Sequence, residues 1–126
     1  MATISEVAQK VGVTPNALRY YEEVGALPQI ARDENGFRHY YPHDIERAEM
    51  VHVLRKMNMP IRTIVATLEK ITATPTVADL QQFIGQLDTL LGQLDAQIAT
   101  IEQEKALVAH KRQVVTDEIQ TQLDQR

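Results

Sequence analysis

The sequence predicts a mainly α-helical chain: a head of short helices broken by one small β-hairpin, then a single long helix. Three observations predict it. Apolar residues recur in steps of three and four from Val77 to Ile101, the period of a packed helix. Before Thr72 the chain is divided into short segments by Gly12, Pro15, Gly25, Pro42 and Pro60, residues that start or stop helices. Within that region Asn35-Gly36 lies between two short segments, a strong hairpin signal.

The elements follow in order. Ile4, Val7, Ala8 and Val11 form one apolar stripe over residues 3–11, and Gly12 ends it. Thr14 is a natural N-cap, and Pro15 suits the first turn of a helix running to about Val24, with Gly25 as its C-cap candidate. Two short helices joined by Gly-Val-Thr make a helix-turn-helix pattern. Gln29–Arg32 and Phe37–Tyr40 are expected as two short strands around the Asn35-Gly36 turn, with Phe37 packing inward. Pro42 to about Met57 is amphipathic, and Pro60 opens a further helix with Ile61, Ile64, Val65 and Leu68 on its apolar side.

The strongest break is Thr72-Ala73-Thr74-Pro75-Thr76. Either Thr74 caps the next helix with Pro75 in its first turn, or Thr76 caps it with Asp79 three residues on. Beyond the break lies a heptad seam. Leu80, Leu87, Leu94 and Ile101 occupy one core position; Ile84, Leu91 and Ile98 occupy the other. Val108 and Val115 continue the first position, while Lys105 and Arg112 interrupt the second. A helix from 76 to about 116 is ~60 Å long, too long to bury its stripe on a head of this size, so a homodimer is expected. Gly85 and Gly92 each cost the helix ~1 kcal/mol relative to alanine; they either permit close approach of a partner or are tolerated at the surface. The expected division is a head at 1–71, a linker at 72–76, a dimerising coiled coil at 77–116 and a tail at 117–126 that either extends the helix or frays.

Composition bounds the chemistry. The 126 residues are 44% hydrophobic and 24% charged, with a net charge of -4, as in an ordinary globular protein. Residues 1–70 hold nine basic and nine acidic groups, and the acidic excess lies beyond them. All four tyrosines lie in the balanced head. There is no cysteine, which excludes disulfides, thiolate metal sites and cysteine redox switches. No apolar run approaches the ~20 residues that span a bilayer. MATISEVAQK has no apolar signal region, so the cytoplasm is the expected location and no membrane partner is expected.

Helix-turn-helix, hairpin, two helices and a coiled coil form a specific order of parts. Carried by TISEVAQKVGVTPNALRYYEEVGAL, ENGFRHY and DIERAEMVHVLRKMNMPIRTI, the chain resembles the MerR family of bacterial transcription regulators from residue 3 to about 116. The resemblance implies a winged helix-turn-helix head with a small β-hairpin wing, followed by a long dimerising coiled-coil helix whose strands run antiparallel. It implies a homodimer that distorts double-stranded promoter DNA and so affects RNA polymerase indirectly. Arg19 and Tyr20 match family residues that meet DNA, and Arg38 and Tyr40 match contacts to its backbone. In the family the helix after the wing often begins with a serine or threonine cap; here it begins Tyr41-Pro42-His43-Asp44.

Physical reasoning points to the same surface. A helix N-terminus offers free N–H groups to a phosphate or groove. Thr14, Asn16 and Ala17 sit there, and Asn16 can both donate and accept. Arg38 carries a fork of donors suited to phosphate. Arg62, near the start of the helix after Pro60, is a further candidate, and Lys56 a weaker one. Tyr21 either packs under the hairpin or meets a phosphate. The DNA-binding set is therefore Thr14, Asn16, Arg19, Tyr20, Arg38, Tyr40 and Arg62. The dimerisation set is Leu80, Ile84, Leu87, Leu91, Leu94, Ile98 and Ile101.

No catalytic motif, cofactor motif or metal-ligand spacing is present. His39, His43, His52 and His110 are expected as solvated or capping residues, and Glu22-Glu23 as side chains pointing in different directions. The sequence names no small effector, and without cysteine it excludes thiolate sensing. An alternative reading is a DNA-bound interaction module controlled by a protein partner through the coiled coil or tail.

Overall fold

The computed structural model describes residues 1–126. In order the elements are β1 (Ala2–Thr3), α1 (Ile4–Val11), α2 (Pro15–Glu23), β2 (Ala31–Arg32), β3 (Arg38–Tyr40), α3 (Pro42–Lys56), α4 (Ile61–Thr72) and α5 (Val77–Asp124). Two compact units are present, Met1–Phe83 and Ile84–Arg126.

Local chemistry sets the helix boundaries of the first unit. Thr3 and Glu6 cap α1 reciprocally: the Thr3 hydroxyl accepts from Glu6 N–H at 3.2 Å, and Glu6 accepts from Thr3 N–H at 3.2 Å. These bonds hold the Glu6 carboxyl below its usual range. Gly12 ends α1 at φ 85°, its N–H donating to Ala8, a left-handed cap that glycine adopts without steric cost. Thr14 caps α2 by accepting from Ala17 N–H at 3.1 Å. At α3, which lacks a serine or threonine cap, an acidic side chain in the first turn bonds back to the N-cap residue instead. Asp44, only 3% exposed, accepts from Tyr41 N–H at 2.8 Å. Asn58 follows α3 at φ 66°, the left-handed stop that asparagine tolerates.

The wing is a three-stranded antiparallel sheet in the order β1-β3-β2. Ala2 lies opposite Tyr40 and Thr3 opposite His39; on the other side Ala31 faces His39 and Arg32 faces Arg38. The two-residue strand β1 is not expected from sequence. The turn spans Asp33–Gly36: Gly36 N–H donates to Asp33, and Asp33 N–H donates to Phe37. Gly36 lies at φ 81° while Asn35 does not have positive φ. The connection is thus a three-residue loop with a left-handed glycine.

The core of the first unit is formed by Val7 and Ala8 of α1, Leu18 and Tyr21 of α2, Ala26, Leu27 and Ile30 of the loop, Tyr40 of β3, Ala48, Val51 and Leu54 of α3, and Ile64 and Leu68 of α4. Burial of this order, at roughly 1.5–3 kcal/mol per large apolar side chain, holds α2 and the wing in a fixed relation.

Thr76 and Asp79 cap α5 reciprocally at 3.0 and 3.1 Å, so Thr76 rather than Thr74 is its cap. The Thr76 N–H bond is the main cause of the lowered Asp79 pKa. The helix continues past 116 to Asp124, since residues 117–124 contain neither glycine nor proline to stop it. None of its residues is buried. An added Cβ at Gly85 or Gly92 meets no atom within 4 Å.

Candidate nucleic-acid interface

Helix α2 buries Leu18 and Tyr21 and exposes Asn16, Arg19, Tyr20 and Glu23. Thr14, Asn16 and Arg19 are exposed, and Tyr20 is 46% exposed. Arg19 Nη1 donates to Asn16 Oδ1 at 2.7 Å, which joins a cation and an amide on the first two turns. Tyr20 stands against the buried Tyr21 with ring centroids 6.3 Å apart. Tyr21 therefore packs inward.

The wing is fastened to this helix by one ion pair. Arg38 Nε donates to Glu22 Oε1 at 2.7 Å, both side chains being mostly covered. With Nε engaged, the terminal nitrogens are the donors left to Arg38. Arg38 and Tyr40 share one face of β3, as alternation along a strand requires. That face turns inward, so two sequence expectations are corrected. Tyr40, expected as a DNA contact, is fully buried, and its hydroxyl has no hydrogen-bond partner; burial pushes its pKa above the usual phenol value. Phe37, expected to pack inward, is 68% exposed. The opposite face carries His39, whose Nε2 lies 2.9 Å from Asp33 Oδ2. Asp33 also accepts from Asn35 and Phe37 N–H at 2.8 and 3.0 Å. His39, then the Phe37 amide, hold its carboxyl below the usual range.

Arg62 is exposed in the first turn of α4. With Tyr20, Val24, Ile61, Val65, Ala66 and Glu69 it lines an open groove of about 380 Å³, which brings Tyr20 and Arg62 to one surface. The helices of the first unit thus present an amide, two cations and a phenol around one buried framework.

A family model described as MerR HTH family regulatory protein matches residues 2–71. The chain belongs to the MerR HTH family. It is 36% identical over 62 residues to HTH-type transcriptional regulator AdhR of Bacillus subtilis (strain 168), a match covering 49% of this chain and 44% of AdhR. ZntR of Escherichia coli (strain K12), also an HTH-type transcriptional regulator, is 33% identical over 64 residues, 51% of this chain and 45% of ZntR. The match therefore spans less than half the length of either relative. Among solved structures, HiNmlR, a MerR family regulator lacking the sensor domain and bound to promoter DNA, shares the fold with a TM-score of 0.67 at 24% identity, over 81% of this chain and 76% of that one. A MerR family transcriptional regulator from Bacillus thuringiensis gives 0.63 at 25% identity, over 83% and 96%.

In this MerR-family chain the second surface is the α5 stripe. Ile84, Leu91, Ile98 and Ile101 are 56%, 59%, 58% and 55% exposed in the single chain. Leu80 and Leu94 are also exposed and Leu87 is half-buried. Together they leave an apolar stripe uncovered along α5. No helix is long and apolar enough to cross a membrane.

Sequence reasoning overlooked the pairing of Glu22 with Arg38. One turn after the buried Leu18, Glu22 lies at the edge of the inward face, but its partner is sixteen positions away and is joined to it only by the fold.

Proposed function

We propose that this chain is a sequence-specific, DNA-binding transcription regulator that works as a homodimer on double-stranded promoter DNA. The observation that carries the reading is the outward display of Asn16, Arg19 and Tyr20 on α2 beside a wing held to that helix by Arg38–Glu22. A helix-turn-helix places such residues in the major groove, while a wing cation takes a phosphate. Thr14, Asn16, Arg19 and Tyr20 form the groove-facing set, Arg38 is the wing contact, and Arg62 reaches the backbone from α4. That HiNmlR, which shares the fold, is bound to promoter DNA supports promoter DNA as the partner.

Residues 1–71 act as the DNA-binding head, 72–76 as the linker and 77–116 as the dimerising segment. Leu80, Ile84, Leu87, Leu91, Leu94, Ile98 and Ile101 bury their exposed surface against the same stripe of a second copy. Two heads joined in this way meet two half-sites, and bending of the duplex between them contributes specificity without base contacts. RNA polymerase responds indirectly, through the shape of the promoter. The test is Arg19→Ala, read by affinity for an operator duplex alongside circular dichroism. Weaker binding by a folded dimer supports the assignment; unchanged affinity removes Arg19 from the interface and the α2 face with it.

A further inference from the structure

The α5 stripe carries two interruptions that the dimer reading alone does not use. Lys105 and Arg112 occupy a core position between Ile98 and Ile119, in line with Ile84 and Leu91. Asp88 and Asp95 each follow a residue of the other core position, Leu87 and Leu94. All four lie in the helix α5 and are exposed in the single chain. The cations fall in its C-terminal half and the carboxylates in its N-terminal half, with one heptad between members of each pair.

This inference rests on the homodimer reading. With the two α5 helices antiparallel, as the family resemblance implies, we propose that one register is selected, by Lys105 against the partner's Asp95 and Arg112 against the partner's Asp88. In this register Ile84 lies opposite the partner's Val115, Leu91 opposite the partner's Val108, and Ile98 opposite the partner's Ile101. Lys105 then crosses the partner's Leu94, and Arg112 crosses the partner's Leu87. Each long side chain lays its methylene stem over a leucine and carries its charge to the next residue, the carboxylate. Both pairs form at once because the cations and the carboxylates share the seven-residue spacing, and twofold symmetry forms each pair twice.

The alternatives do worse on the same residues. A parallel pair sets Lys105 against the partner's Lys105 and Arg112 against the partner's Arg112, like charges inside an apolar seam. An antiparallel slip by one heptad in one direction leaves Arg112 beside the partner's Gln81, with no carboxylate. A slip in the other direction keeps carboxylates near both cations but sets Ile84 against the partner's Gln122. A charged residue at a core position is a known means of fixing register at some cost in stability.

The chain has no cysteine of its own, so introduced thiols report without background. Light scattering first gives the size of the full chain. Mild oxidation then compares Leu91→Cys/Val108→Cys, which this register joins, with Leu91→Cys/Val115→Cys, which the Gln122 register joins. The expected result is a dimer with efficient covalent linkage in the first variant alone. A dimer linked in the second variant overturns the register and leaves the homodimer standing; a monomer overturns both. Charge exchange gives an independent readout. Lys105→Glu raises the dimer dissociation constant roughly tenfold by losing two pairs and creating like-charge contacts. Adding Asp95→Lys restores it. Failure of Asp95→Lys to rescue a folded Lys105→Glu chain contradicts the pairing.

Discussion

Replacing Arg38 by alanine separates the two tasks assigned to this residue. In the folded chain its Nε donates to Glu22 at 2.7 Å, with 19% and 13% of the two side chains exposed. Removing the guanidinium leaves the Glu22 carboxylate mostly covered and unpaired. A charged hydrogen bond of this kind is worth about 1.5–3 kcal/mol; partial exposure puts the cost at the lower end, about 1.5 kcal/mol. For a head of this size that lowers the melting temperature by roughly 6–12 °C. The DNA term is separate. If each Arg38 of a dimer neutralises one phosphate, the slope of log K against log salt falls by about 1.8. Between 50 and 200 mM salt the wild-type chain then loses roughly tenfold more affinity than the variant. The assay is fluorescence anisotropy of a labelled operator duplex across that salt range, with thermal melting in parallel. The double variant Arg38→Ala/Glu22→Gln removes the stranded charge, so it recovers most of the melting temperature but not the salt slope. An unchanged salt slope in a folded Arg38→Ala dimer refutes the phosphate contact.

Further consequences concern the corrected wing and the stripe. Tyr40→Phe removes a buried hydroxyl that has no partner, so stability is expected to hold or rise by up to about 1 kcal/mol, with DNA affinity unchanged. Loss of affinity in the folded variant restores Tyr40 to the interface. Because burial raises the folded pKa of Tyr40 above 10, the unfolded chain releases this proton first. Its contribution is therefore complete below pH 10 and is lost as pH rises through the folded value; urea melts between pH 9 and 11 should fall less steeply for Tyr40→Phe. Asp33 has a lowered pKa, so its contribution to the wing is present above the ordinary carboxylate range and lost as pH falls through the folded value. Asp33→Ala should raise amide exchange at Asn35 and Phe37, and protection left intact there contradicts its place in the turn. Leu91→Asn should dissociate the dimer, since each buried leucine contributes roughly 1.5–3 kcal/mol and two are lost. Sedimentation showing an intact dimer contradicts the stripe as the interface.

Much of the fold was legible because its signals are local. Thr14-Pro15 and Gly12 set the boundaries of the first two helices through contacts within four residues. Thr76 and Asp79 settled a choice that sequence left between two caps. The wing was less legible. Its existence follows from Asn35-Gly36, but which face of a three-residue strand turns inward depends on the helices beneath it. For that reason Tyr40 and Phe37 exchanged their expected places. Strand β1 has only two residues, too few for alternation to show. Of the candidate DNA contacts, Asn16 was named from its place in the first turn of α2, and Arg19 and Tyr20 from the family resemblance; α2 exposes all three. The pairing of Arg38 with Glu22 could not, since it depends on how the hairpin folds back.

DNA recognition is tested most directly by one titration: the purified chain against the duplex upstream of its own gene, and against duplexes selected from a random pool, at 50 and 200 mM salt. The expected result is saturation at two chains per duplex, with a preferred sequence and an affinity that falls at the higher salt. Binding that is absent for every duplex, or that shows neither sequence preference nor salt dependence, contradicts the assignment of the α2 and wing surface to DNA.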